Sequence, residues 1–600
     1  TVSVLYWLAE GGNCSFCHCH TRDVSLSLLQ LSERPFFIET GHVMRSMVVI
    51  AATIIALFSG AASALTAVGY TASVPIAGGR ARFHWRVDGV AGSRDERGYF
   101  ALEVPTASGW VGFGIGEINS GSMPGSDIAI ATVDSNGALT VGDYHALDFA
   151  MPLPDCNPAV SDWTPIAAQR NATHTLVEIS RKLIATSLDE DRSIARRPNN
   201  SPSKFLVAWG ADAALAYHGR TDRALFAVDI FSAPTDRLAP LRADPNIEVL
   251  EWRSRNLAVP AAETLYAYTP CVRGQRNSGR QIIAFNVLVS PEASRPYLHH
   301  MVVKGYNNAN CEGFAVDLYA VASSHAPFIL PEDIGLGMDF DSYNVEIHYD
   351  NPNLVSGLID NSGVEVFTTR AGAPPRVHNA GVLVAADPIV QTPYLIEPGY
   401  TALDYNCPSE CTLRWERNIT VFGELLHMHQ TGDLMRTNFV APDGQTVLAT
   451  REAEWYAFHT QENQLFDRFD LPRGSAINTR CVYRVADTGG TVRFGLGSSQ
   501  EMCMHFIYYY PRLAARTGEM CGVNFCGHIR SKETQQVRHM RHGFNGSCGV
   551  IGSPTPTPAP LASIASLAER TGQTQGDVSG ANSITAAIAL ILAVAISMAL

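Results

Sequence analysis

The chain has 600 residues, more than one compact domain usually holds, and its 46% hydrophobic and 17% charged content is enough for several buried cores. A net charge of -13 and the lack of any long basic run argue against a nucleic-acid partner, because phosphate binding needs concentrated Lys and Arg. The 49 Gly and 33 Pro, among many Val, Thr and Tyr, point to an all-β protein rich in turns.

The first 43 residues show no usable periodicity and read as translated upstream sequence, so Cys14, Cys17 and Cys19 are not taken as a metal knuckle. Met44-Arg45-Ser46 then opens a charged segment, Met47 to Phe58 is apolar, and Ala62-Ser63-Ala64 fits the small-x-small cleavage rule. A signal peptide is expected at 44–64. Ten cysteines follow, at 156, 271, 311, 407, 411, 481, 503, 521, 526 and 548; an even number behind a signal peptide reads as disulfides. Sequons at Asn171, Asn199, Asn418 and Asn545 suit glycosylation in the same compartment.

Residues 66–232 read as a first β-sandwich. Arg82 to Val87 alternates like a half-buried strand, Tyr99 to Val104 is a second, the glycine-broken Gly109 to Gly116 a third, and Asp127 to Val133 a fourth. Residues 233–260, with Pro234, Pro240, Pro245 and Pro260, read as a linker. From 261 to 528 short strands and turns resume without a long helical pattern, and 529–582 reads as a tail with the extended stalk Ser553 to Ala559. Residues 583–600 form an uncharged apolar tail behind a polar spacer, as in a GPI-attachment signal, with sites between Gly572 and Gly580; a short membrane tail is the alternative.

The chemistry is concentrated in four motifs. His299 and His300 are adjacent, and adjacent strand residues point to opposite faces, so both could reach one metal only at a strand end or distortion. His348 lies in an apolar alternating run. His427 and His429 are two apart and can clasp one metal from one face of a strand. Met502 follows Gln500-Glu501 and precedes Cys503. Three imidazoles suit copper or zinc, whereas two imidazoles with a thioether favour a copper that visits Cu(I), since soft sulfur stabilises the reduced ion. Any one motif alone is more often a core or surface feature; all four in this order are specific.

Together they resemble the two-domain core of the copper type II, ascorbate-dependent monooxygenases of the dopamine β-hydroxylase class. The supporting matches are His348-Tyr349-Asp350-Asn351-Pro352 with Gly357, Asp360, Ser362 and Gly363, and Asn406-Cys407-Pro408-Ser409-Glu410-Cys411. Upstream, Gly109-Trp110-Val111-Gly112-Phe113-Gly114, the Met123 and Asp127 region, Ala208-Trp209-Gly210 and Tyr217-His218-Gly219 resemble a DOMON domain, the last two as its closing strands. The resemblance implies a DOMON sandwich at 66–232 and two jelly-roll-like copper domains at 261–373 and 374–528. It implies an electron-transfer copper on His299, His300 and His348, a catalytic copper on His427, His429 and Met502, and ascorbate as reductant. The implied reaction is RH + O2 + 2 electrons + 2 protons → ROH + water, on an amine-like small molecule in the secretory pathway or at the cell surface.

By the same resemblance Cys481 pairs with Cys503; Cys407–Cys521 and Cys271–Cys311 come next. Cys156, Cys411, Cys526 and Cys548 stay open, with Cys411–Cys526 and Cys156–Cys548 as one solution. The chain departs from the family at Tyr306, where a cysteine is usual, at Thr420, where a histidine is usual, and at Leu425, where peptide-amidating relatives carry an Arg for the peptide carboxylate. In the DOMON region Met123 and His218 are candidate haem ligands and Asp127 a candidate cation ligand, with a structural role the preferred reading. The rival functions are a non-catalytic surface protein binding copper or haem, and, more distantly, a zinc hydrolase, which would need the H-E-x-x-H frame this chain lacks.

Overall fold

The computed structural model describes residues 65–534, except 157–160, 186–189, 199–200, 322–325, 498 and 515–517, and the described residues belong to one compact unit. The signal segment, the stalk and apolar tail, Asn199, Asn545 and Cys548 lie outside them. The described chain is all-β: its α-helices are the short Ala239–Ala243 and Ser409–Thr412. No helix among the described residues is long and apolar enough to cross a membrane.

The N-terminal part is a β-sandwich. One sheet has five strands in the order Ala72–Ile76, Ala81–Asp88, Arg97–Val104, Thr175–Lys182, Thr164–Arg170. The other has six, in the order Arg223–Val228, Ser203–Trp209, Val111–Ile115, Asp127–Val133, Leu139–His145, Leu153–Pro154. Alternation in Ala81–Asp88 turns Phe83 and Trp85 inward. Phe83 stacks on Phe113 at 5.4 Å and Phe113 on Phe205 at 5.5 Å, so aromatic rings from both sheets fill the space between them. The closing strand is Arg223–Val228. Tyr217 to Gly219, expected to lie in it, instead forms a turn, with Tyr217 exposed and Gly219 at φ +72°.

The expected linker is largely structured. Helix Ala239–Ala243 has Pro240 in its first turn, and strand Ile247–Arg253 pairs along its length with Gly363–Thr369. Arg242 clamps Glu365 with two hydrogen bonds of 2.8 and 2.6 Å. The prolines that suggested a connector punctuate element ends, where a missing N–H costs little. At the other end, strand Cys526–Thr534 pairs with Thr401 to Asn406, so the third sandwich continues six residues past the expected boundary at 528.

The second and third sandwiches share a sheet and a core. Ile334 to Leu336 pairs in parallel with His378 to Ala380, bridging the two. One apolar cluster runs from Val303, Tyr319, Val345 and Ile347 into Phe422, Leu425, Met502 and Phe506. A continuous core of this kind fixes the two domains against each other. Disulfides join Cys271–Cys311, Cys407–Cys521, Cys411–Cys526 and Cys481–Cys503; Cys156 is also disulfide-bonded, and the Cys156–Cys548 pairing lies outside the described residues.

Candidate metal centre

The first cluster is built by a β-bulge. Strand Leu298–Tyr306 lies against Ser342–Asp350 with Leu298 opposite Tyr349 and His300 opposite His348, leaving His299 as the extra residue. The bulge lets neighbouring side chains converge where regular alternation would part them. His299 Nδ1 lies 2.9 Å from His300 Nδ1 and 3.0 Å from His348 Nδ1, and the three rings hold ligand atoms within 4.8 Å of one another. Nitrogens this close are what bonds of roughly 2.0 Å at right angles to one metal ion produce. Tyr266, from strand Thr264–Tyr268, stacks flat on His348 at 4.2 Å and donates its hydroxyl to the Leu496 carbonyl, 2.5 Å away in the third sandwich.

The second cluster sits where strand Ile419–His427 ends opposite Met504. Alternation sends Leu425 into the core shared by the two sandwiches and Leu426 and Met428 into a core of the third. His427 Nδ1 donates to Gln461 Oε1 at 2.6 Å and His429 Nδ1 to the Gln500 carbonyl at 3.0 Å. Both acceptors are oxygens, so each Nδ1 carries the proton and each Nε2 presents its lone pair. His429 Nε2 is buried without a hydrogen-bond partner, a lone pair free to bind a metal. Glu501 ties this loop to Met502: its Oε2 accepts from His429 N at 2.9 Å and Met502 N at 3.2 Å, its Oε1 from Thr431 N at 2.6 Å and Thr431 Oγ1 at 2.7 Å. The Cys481–Cys503 disulfide and the bond from Tyr483 OH to the Met502 carbonyl, 3.0 Å, pin the same segment.

The two clusters touch. His299 and His429 lie 5.7 Å apart between ring centres, edge to face, and His300 and His427 6.3 Å. Phe458 packs on both His299 and His429, at 4.9 and 5.9 Å. Burial, reinforced by neighbouring imidazoles, pushes His299 down to about 2, His427 to about 3 and His348 to about 4; burial also lowers His429 to about 4. These rings are therefore neutral at physiological pH and ready to bind a cation.

The five histidines expected at the metal sites thus lie at one junction and the Met502 backbone is tied to His429 through Glu501, but Tyr266, Phe458, Gln461 and Glu501 were not singled out in the sequence. Glu501 had the only local signal, its place beside Met502. The departures are accommodated: Tyr306 is buried with its hydroxyl on Asn344 Oδ1 at 3.1 Å, Thr420 bonds Asp470 at 2.7 Å, and Leu425 is core. Asp360 takes bonds from Tyr349 OH at 2.7 Å, Ser254 Oγ at 3.1 Å and Ser362 N at 2.8 Å, a buried polar knot behind the His348 strand. In the first sandwich Asp127 is satisfied by Trp163 Nε1 at 2.9 Å, Arg192 N at 3.0 Å and Arg181. Met123 packs against Trp110 and Ile128, and His218 Nδ1 is engaged by the Gly219 carbonyl at 2.7 Å.

The histidines thus converge at a junction between the second and third sandwiches, where they could hold metal ions. Residues 378–533 match the copper type II ascorbate-dependent monooxygenase C-terminal domain, and residues 79–210 match the DOMON domain. DBH-like monooxygenase protein 1 from Gallus gallus is 27% identical over 455 residues, 69% of this chain and 69% of that protein. Tyramine beta-hydroxylase from Caenorhabditis briggsae is 30% identical over 38% of each chain, and dopamine beta-hydroxylase from Canis lupus familiaris 32% identical over 32% of each. The two domain matches and these relatives support the DBH-like copper monooxygenase family.

Proposed function

We propose that this chain is a two-copper, ascorbate-dependent monooxygenase that hydroxylates an activated C–H of an amine-like small molecule. The observation that carries the reading is the intact junction: His299, His300 and His348 would hold one copper, and His427, His429 and Met502 the other, with the imidazoles neutral and the His427 and His429 rings oriented by hydrogen bonds at Nδ1. Copper bound there supplies one-electron redox chemistry and a position for O2, with ascorbate as the source of electrons. The chain's own groups do the rest. Gln461 and the Gln500 carbonyl fix the tautomers of His427 and His429, Glu501 holds the Met502 and His429 backbones together, and Phe458 packs against the His299 and His429 rings. Leu425 puts a core aliphatic where a guanidinium would be needed for a peptide carboxylate, which favours an amine over a peptide substrate. Tyramine and dopamine hydroxylases among the relatives support a phenylethylamine.

The test is to load the purified chain with copper and follow ascorbate-dependent O2 uptake across a panel of aromatic amines. Two coppers per chain and amine-stimulated uptake support the reading; a folded chain that binds no copper ends it. Two coppers without uptake on any amine would favour the non-catalytic surface protein. We further propose a secretory route, to which the disulfides and the sequon at exposed Asn418 are suited.

Copper binding should also be nearly independent of pH down to about 5. Ligands must be deprotonated to bind, and an exposed imidazole would begin to lose affinity below its ordinary value of about 6.5, about tenfold per unit for each ring. With the folded values lowered to about 2 to 4, the neutral forms persist through that window. Equilibrium competition with a copper chelator should show less than about a threefold change between pH 7.5 and 5.5; a steep fall through 6.5 would show the rings to be solvated.

A further inference from the structure

The loop between strands Val111–Ile115 and Asp127–Val133 of the first sandwich rests on residues 452–464 of the third. Asn119 donates its amide to the Glu452 carbonyl, and Gln464 donates back to the Asn119 carbonyl at 3.1 Å. Gly125, at φ +76°, lies under Trp455 so closely that a Cβ there would fall 2.2 Å from the indole Cγ. Arg192 Nε holds the Gly125 carbonyl at 2.7 Å, so the buried Asp127 network supports this loop from behind.

Lys204 is the centre of the contact. It leaves strand Ser203–Trp209 with a side chain only 4% exposed. Its ammonium donates to the Ser120 carbonyl at 3.3 Å within its own sandwich, and to the Thr460 carbonyl at 3.3 Å and Glu462 Oε1 at 3.0 Å across the boundary. Those two partners flank Gln461, whose Oε1 takes the Nδ1 proton of His427. Gln461 Nε2 donates in turn to the Phe458 carbonyl at 2.8 Å, and Tyr456 OH bonds Met428 N at 2.7 Å and its carbonyl at 2.6 Å. A buried ammonium needs its oxygens, and losing one side of such a contact is costly because the other is left unpaired. The segment that sets His427 is therefore held in place from another domain.

We propose that Lys204 is a positioning residue of the His427 metal site: by gripping both neighbours of Gln461, the first sandwich sets the orientation of the His427 imidazole. The metal part rests on the proposed function; the mechanical coupling does not. The test uses the full chain with Lys204→Met, Lys204→Arg and, as a control at the exposed Arg484–Asp148 pair of the same boundary, Asp148→Asn. In the metal-free chain, amide exchange of peptides 456–464 and 425–431 is expected to rise at least tenfold in Lys204→Met and to stay near the parent's in the other two. In the copper-loaded chain, Lys204→Met should release one of two coppers at several-fold lower chelator and change the Cu(II) resonance parameters of that copper, with Lys204→Arg restoring both. Parent-like exchange in Lys204→Met overturns the proposal, as does faster exchange with an unchanged copper signal, which would make Lys204 an ordinary interface contact. If Lys204→Met does not fold, Glu462→Gln carries the same readouts with side-chain volume kept. A parent chain that binds no copper ends the proposed function, while the exchange arm still decides the coupling.

Discussion

Met502→Leu is expected to reduce ascorbate-dependent, amine-stimulated O2 uptake by more than about 100-fold while leaving the fold intact, since even groups that merely support a metal ligand cost 10- to 100-fold. Leucine is the informative replacement. Met502 is 5% exposed in the core shared by two sandwiches, and truncation to alanine would add a cavity costing about 2–5 kcal/mol. Leucine conserves the volume at less than about 1.5 kcal/mol and removes only the sulfur. Thermal melts and copper counts of parent and variant, read beside uptake, separate the two effects. A variant with parent-like melting and parent-like uptake would take Met502 out of the metal site.

Glu501→Ala should be the most destabilising single change at the junction, by about 3–5 kcal/mol. The carboxylate is fully buried and accepts four hydrogen bonds, from His429 N, Thr431 N, Thr431 Oγ1 and Met502 N. Removing it strands three backbone N–H groups away from water and releases the link between the segments bearing His429 and Met502. One of two coppers should be lost with it. Glu501→Gln should fall between, because one carboxylate oxygen becomes an amide that faces donors with a donor. Burial pushes the Glu501 carboxyl up to about 7 against the four donors that favour its ionised form, so ionising it costs more in the folded than in the unfolded chain and the parent's stability should fall as pH rises toward and through 7. Denaturant titration at pH 6 and pH 8 measures both effects; equal stability of parent and Glu501→Ala would show that the four bonds carry no load.

What the sequence determined was local. Period-two alternation marked Ala81–Asp88 and Arg97–Val104 within one or two residues, and glycine and proline density marked the class as all-β. His427 and His429 could be read as a clasp because a strand returns to the same face every second residue. The remaining ligands and the pairings Cys481–Cys503, Cys407–Cys521 and Cys271–Cys311 came from resemblance, since no spacing rule yields them. Only the tertiary structure decided how adjacent His299 and His300 converge, because the bulge exists only in register with Ser342–Asp350. It also supplied the partners that aim the ligands. Gln461 lies 34 residues from His427 and Thr460 lies 256 from Lys204, so no periodicity records either contact. They form where three apolar cores bring distant segments together, and the buried polar groups left at that junction must then satisfy one another.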